Sequence, residues 1–199
     1  MRPTHFASCL TLAAALTLLA APATPQDLHP SRRPSPMGTA RITVDDTYIR
    51  VVYSRPYKRG RDNIFGTAES EALVPFGEIW RTGANEATEI TLTGDVEVDG
   101  RPLAAGTYSL FTVPGPEAWT VHFNSTLGIN GTGRRNPETD EFETVDLEAT
   151  DVLMVTAAVS ALDEEVEQFT IAFEEAEGGA DICLNWITTA VCVPIRLPG

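Results

Sequence analysis

The chain has 199 residues and carries 14 Lys and Arg against 28 Asp and Glu, a formal net charge of −14. This length suits one domain with a sizeable hydrophobic core. Such an acidic surface repels phosphate backbones and anionic lipid surfaces, so the charge argues against nucleic-acid binding and against adsorption to anionic membranes.

The first 23 residues have the pattern of a secretory signal peptide. Arg2 supplies a positive charge, 10–21 is an apolar run, and Ala21-Pro22-Ala23 places small residues where a signal peptidase cleaves. The run is too short to cross a bilayer of about 30 Å as a helix. The pattern predicts an exported protein, periplasmic or extracellular, without stable membrane insertion after cleavage. A lipid anchor and an uncleaved membrane anchor are the alternatives.

Residues 24–39 are rich in Pro and Ser, which predicts a flexible lead-in to a single domain over 40–197. Within that domain, short stretches of alternating apolar and polar residues recur between turn-forming residues. The predicted strands lie at 41–44, 48–54, 78–82, 87–93, 96–99, 103–106, 107–113, 118–123, 142–147, 152–158, 168–174, 182–187 and 190–195. Between them, 124–141 is predicted as a long loop, and 157–167 has some helical character.

Many short strands at regular spacing are typical of all-β folds. We predict an antiparallel β-sandwich of about ten strands, with a small β-barrel as the alternative.

Two cysteines, Cys183 and Cys192, remain after signal cleavage, and export favours a disulfide between them. If they face each other in a hairpin, one face of that hairpin is apolar throughout. Its facing pairs are then Ile182/Val193, Leu184/Val191 and Trp186/Thr189. The predicted turn at Ile187-Thr188 lacks the Gly or Asn that two-residue hairpins favour.

Several arginines are concentrated between residues 50 and 81, which is unexpected in so acidic a chain. Guanidinium groups bind carboxylate, sulfate or phosphate, and aromatic faces can stack on a sugar. This composition predicts a site for a small anionic or sugar-like ligand. The candidate residues are Arg55, Arg59, Arg61, Trp80, Arg81 and Asn85. In the alternative interpretation, the arginines pair with carboxylates and Trp80 belongs to the core.

The chain resembles a family of exported bacterial proteins, domain of unknown function 2911, over most of residues 41–195. The most specific shared stretch is Trp80-Arg81-Thr82-Gly83-Ala84-Asn85. Other shared stretches are 52–56, 59–61, 73–77, 103–111, 119–121, 123–124 and 193–195. The resemblance implies an exported β-rich domain, and no activity comes with it. The loop after Asn124 is enlarged, and the Cys183–Cys192 pair does not belong to the shared pattern.

Catalysis has little support in the sequence. His122 is the one histidine within the predicted domain, and there is no Gly-x-Ser-x-Gly nucleophile elbow. We therefore assign no catalytic residue, metal or cofactor. Three functions follow in order: a binding module for a small molecule, a structural or protein-interaction domain of the cell envelope, and a hydrolase using carboxylates with His122.

Overall fold

The computed structural model describes residue 29 and residues 32–199. The predicted signal peptide lies outside the described residues and stays a prediction. The strands are β1 (Met37–Val44), β2 (Thr47–Ser54), β3 (Phe65–Gly66), β4 (Val74–Pro75), β5 (Thr88–Leu92), β6 (Val96–Val98), β7 (Arg101–Leu103), β8 (Gly106–Val113), β9 (Ala118–Asn124), β10 (Gly133–Arg135), β11 (Phe142–Thr144), β12 (Asp151–Ala176) and β13 (Gly179–Arg196). A 3-10 turn (Ala68–Ser70) and a short helix α1 (Leu147–Thr150) complete the elements.

Nine strands form one antiparallel sheet in the order β1-β2-β5-β8-β9-β12-β13-β6-β7. The first part of β12 pairs with β9, and its later part pairs with β13. Buried residues from β2, β5, β8 and β9 share one hydrophobic cluster with those from β6, β7 and β13. The sheet therefore encloses one main core in the manner of a sandwich, and a second, smaller cluster forms around Ala87, Phe111 and Ile129. The predicted all-β sandwich is confirmed, and the sheet is not closed into a barrel.

Apolar and polar residues alternate along the strands, which explains why each strand buries one face. On β9, Trp119, Val121 and Phe123 point into the main core and are at most 3% exposed. Successive side chains of a strand point to opposite faces, so the intervening residues lie on the outer face. Strands β6 and β7 form a hairpin whose turn, Asp99-Gly100, has positive φ at both residues, as a two-residue turn of the I′ type requires.

Strand β13 folds back on itself about Ile187. Nine residues of extended chain would span roughly 30 Å, yet the Cα atoms of Cys183 and Cys192 lie 4.1 Å apart. At the open end, Leu197 N donates to Gly178 O at 2.9 Å, and Ile187 has a φ of 52° at the turn. These contacts match the predicted hairpin register, and the disulfide between Cys183 and Cys192 is present.

Removing this disulfide should weaken the fold measurably. We expect the double variant Cys183→Ala/Cys192→Ala to lose about 2–3 kcal/mol of unfolding free energy, because the crosslink restricts the unfolded chain. Urea denaturation of the variant and the parent provides the measurement. Coincident transitions would contradict the expectation, and Thr188→Ala in the exposed turn serves as a control that keeps the bond.

Three predicted segments differ in the structure. Residues 78–82 form no strand. Trp80 makes only an isolated bridge to Thr112, and the φ of 55° at Thr82 interrupts the extended backbone. Residues 157–167 are strand and not helix, with irregular pairing to β13 between Ala161 and Val166. The long loop 124–141 contains β10, which pairs with β11.

The segment before the sheet is also folded onto the domain. Strand β1 begins at Met37, inside the stretch 24–39 predicted as a lead-in. Just ahead of it, Pro36 O accepts a hydrogen bond from Arg55 N at 2.9 Å. The residues directly before β1 therefore contribute to the surface next to the candidate site.

Candidate functional site

Five aromatic rings form the wall on which the candidate site rests. Trp80 stacks on Trp186 with ring centroids 6.0 Å apart and planes 15° apart, and its remaining ring contacts are edge-to-face. Trp80 is 6% exposed and Trp186 is 1% exposed. The other members of this aromatic cluster are Phe65, Trp119 and Phe169. Both Trp80 and Trp186 thus belong to the core.

The turn after Trp80 is tightly built. Trp80 Nε1 donates to Gly83 O at 2.9 Å, and Thr88 Oγ1 donates to Thr82 O at 2.6 Å. Gly83 has a φ of 153°, and a Cβ there would lie 2.7 Å from Ser54 O, so a side chain would collide with β2. This turn fixes the backbone that carries Arg81.

A cavity of about 250 Å³ opens beside this turn. Two of its lining residues are arginines, Arg61 and Arg81, and two are the tryptophans of the aromatic wall. The remaining lining residues are Ser35, Pro56, Leu73, Val74, Gly83 and Ala84. The lining contains no carboxylate, although the chain has twice as many acidic as basic residues. We call this space the Arg61/Arg81 cavity.

Arg81 is the most unusual residue of the cavity. Its Nε is buried without a hydrogen-bond partner, and none of the ion pairs or side-chain hydrogen bonds among the described residues involves its guanidinium. Burial lowers the pKa of Arg81 from its ordinary value. A partly buried cation without a partner carries a desolvation cost, and no contact among the described residues offsets it.

Arg61 is the second cation of the cavity. Its Nη2 donates to Tyr57 O, which anchors one end of the guanidinium, while its Nε is buried without a partner. No carboxylate pairs with it in the part of the chain that the structure describes. The cavity therefore brings together two guanidinium groups that each retain an unused donor.

The other predicted arginines lie outside the cavity lining. Arg55 donates to Phe169 O at 3.2 Å and to Thr170 Oγ1 at 2.8 Å, and so ties the end of β2 to β12. Arg59 donates to Pro34 O at 2.7 Å, and its guanidinium carbon lies 5.6 Å from the centroid of the Tyr57 ring. These arginines hold chain segments together through backbone and hydroxyl oxygens, not through salt bridges.

Asn85 holds the segment before β1 against the domain. Its Nδ2 donates to Ser35 O at 3.1 Å, and the neighbouring Glu86 pairs with Arg33 at 2.5 Å. Because Ser35 lines the Arg61/Arg81 cavity, Asn85 contributes to the site by positioning its rim. Of the six predicted residues, Trp80, Arg81 and Arg61 line the cavity, whereas Arg55, Arg59 and Asn85 support its surroundings.

Seven of the ten lining residues were not among the predicted site residues, and Trp186 and Ser35 are the two that come from distant parts of the chain. Trp186 reaches the site because β13 folds back beside the aromatic cluster. Ser35 reaches it because the segment before β1 is bound by Asn85. Neither long-range placement leaves a local signal in the sequence.

Two further observations concern metals and membranes. Glu174, Cys183 and Cys192 place possible ligand atoms close together, but the two sulfurs are bonded to each other. Among the described residues, no helix combines the length and apolar character required to cross a membrane.

Comparison with known proteins agrees with the sequence resemblance. A family model described as protein of unknown function (DUF2911) matches residues 35–195. No curated protein and no solved structure matches the chain. The matched range begins at Ser35 on the cavity rim and ends at Ile195 on β13, so it contains every residue that lines the cavity. The chain belongs to the DUF2911 family of proteins of unknown function.

Proposed function

We propose that the protein binds a small anion in the Arg61/Arg81 cavity. The observation that carries the proposal is Arg81, a partly buried guanidinium that has no partner among the described residues, in a chain of net charge −14. In such a chain a cation finds a carboxylate easily, so a cavity that holds two cations and no acid is an exception that favours an anionic ligand.

The energetics support an anion over a neutral ligand. Without a ligand, two positive groups share a cavity from which water is partly excluded, and burial disfavours the charge of Arg81. A carboxylate, sulfate or phosphate group offers acceptors to the guanidinium groups and neutralises their charge. A neutral hydroxyl can accept hydrogen bonds but leaves the charges uncompensated.

The aromatic wall also disfavours a purely sugar-like ligand. Stacking on a sugar needs an accessible ring face, whereas one face of Trp80 is covered by Trp186 and both rings are almost fully buried. The tryptophans therefore contribute an apolar wall. The cavity of about 250 Å³ holds roughly eight waters at about 30 Å³ each. Its size is below the usual range for drug-sized ligands, which suits a small anion with a compact body.

We propose that this binding occurs outside the cytoplasm, a location that the predicted signal peptide supports. The proposal is therefore a non-enzymatic binding protein of the periplasm or the medium, which captures an anionic metabolite. The alternative is a structural or interaction domain of the cell envelope, for which the internal contacts of Arg55 and Arg59 are the supporting feature.

Calorimetric titration of the full chain tests the proposal. The probes are inorganic phosphate, glucose 6-phosphate and glucose. We expect both phosphates to bind and glucose not to bind. We expect Arg81→Ala to weaken phosphate binding roughly 10–100-fold, since charged hydrogen bonds contribute about 1.5–3 kcal/mol.

Arg50→Ala is the matched control, because Arg50 is exposed on β2 and belongs to the same basic stretch of sequence. It should bind phosphate like the parent. If both variants weaken phosphate binding equally, the effect comes from the overall charge of the protein, and the proposed site is refuted. Binding of none of the probes would favour the envelope-domain alternative.

A further inference from the structure

A second site lies on the outer face of the sheet, around His122. This residue is on β9 and is 6% exposed. Its Nδ1 lies 2.7 Å from Asp151 Oδ2, at the start of β12. Asn124 Nδ2 donates to Asp151 Oδ1 at 2.8 Å and to Thr150 Oγ1 at 2.9 Å. Both oxygens of the carboxylate are thus engaged, which fixes its orientation toward the imidazole ring.

This network determines what the other ring nitrogen can do. A carboxylate accepts hydrogen bonds, so Nδ1 carries the proton that it donates to Asp151. In the neutral ring, Nε2 is then an acceptor. His122 Nε2 is buried and has no hydrogen-bond partner among the described residues. A buried acceptor left unpaired is costly, so a donor from a ligand would be stabilising.

A cavity of about 380 Å³ adjoins His122. Leu147 and Met154 give it apolar walls, and Glu148 and Asp151 give it negative charge. Met154 faces His122 across the strands, is 48% exposed and has a flexible side chain that can make room for an occupant. The lining contains no Ser, Thr or Cys that could form a covalent intermediate.

We propose that this His122 cavity binds a compact, mostly apolar, neutral ligand whose hydroxyl donates a hydrogen bond to His122 Nε2. The two carboxylates disfavour an anionic ligand here, which separates this site from the Arg61/Arg81 cavity. Asp151 acts as a positioning residue that keeps Nε2 an acceptor. Phenol is the simplest probe with these properties, and toluene has the same shape without the donor.

The test is a titration of the full chain, labelled with nitrogen-15, with phenol and toluene. We expect phenol to shift the His122 Nε2 resonance and to bind roughly tenfold more tightly than toluene, as the gain of one hydrogen bond implies. His122→Phe should abolish this preference for phenol. Thr156→Ala, an exposed change on the same face of β12, should leave it unchanged.

Asp151→Asn tests whether Asp151 acts by fixing the position of the His122 ring proton or only by packing against the ring. Asn124 still donates to the oxygen of the new amide, so the amide nitrogen faces His122 Nδ1 and the ring proton moves to Nε2. We expect this variant to remain folded, to show a protonated Nε2, and to show a smaller preference for phenol, because the phenol oxygen is a weaker acceptor than its hydroxyl is a donor. Equal affinities for phenol and toluene in the parent, or an unchanged preference in His122→Phe, would overturn the proposal.

Discussion

Arg81→Met is expected to stabilise the ligand-free protein while lowering its affinity for phosphate roughly 100-fold. The guanidinium is partly buried and unpartnered, so its removal eliminates a desolvation cost, and the Met side chain fills a similar volume. We expect a gain of about 1–3 kcal/mol in unfolding free energy. Chemical denaturation without added anion measures the gain, and calorimetry with phosphate measures the loss of binding.

Two controls accompany this prediction. Arg50→Met replaces an exposed arginine and should change stability by less than about 0.5 kcal/mol. Arg81→Lys keeps the charge but loses the planar set of donors, so it should bind phosphate weakly without the gain in stability. A clear loss of stability in Arg81→Met would mean that Arg81 makes a stabilising contact within the protein, and the binding proposal would lose its basis.

Trp186→Ala should cause the largest loss of stability, about 3–5 kcal/mol, as expected for truncating a fully buried tryptophan. Trp186 is 1% exposed, stacks on Trp80, and contacts Phe65 and Phe169 edge-to-face. Its Nε1 also donates to Glu167 O at 3.3 Å. Truncation therefore opens a void in the aromatic cluster and leaves a backbone carbonyl without this donor.

Trp186→Phe is the matched control, since it retains a ring and should lose clearly less free energy than Trp186→Ala. Urea denaturation of both variants provides the comparison. A loss below about 1 kcal/mol in Trp186→Ala would contradict the description of Trp186 as a core residue. If Trp186→Phe remains folded, its phosphate affinity also reports how far the apolar wall contributes to binding.

Alternation of residue types was sufficient to predict most of the sheet. Inward-facing residues such as Ile49, Val51 and Tyr53 on β2 leave the same period-two pattern in sequence and in burial. The facing of Cys183 and Cys192 was predictable because the register that pairs these two cysteines also gives the hairpin an apolar face. The strand prediction for 78–82 was wrong. This segment alternates like a strand, but Thr82 at its end and the following Gly83 and Asn85 have positive φ.

The site was only partly predictable because sequence proximity does not fix side-chain direction. Arg55 and Arg61 are six residues apart, yet Arg55 turns toward β12 while Arg61 lines the cavity. The pairing of His122 with Asp151 depends on the register between β9 and β12, across 29 residues of chain. Such contacts come from tertiary packing, which a local pattern does not encode.

We propose that Arg61 and Arg81 bind one anion together. Nitrogen-15 NMR of the arginine Nε–H groups during a phosphate titration is the decisive measurement, because both Nε atoms are buried and lack a hydrogen-bond partner without ligand. We predict that the Arg61 and Arg81 signals shift together with one dissociation constant, while the Arg50 signal stays constant. Shifts of equal size at all three arginines, or no shift at Arg81, would contradict the account.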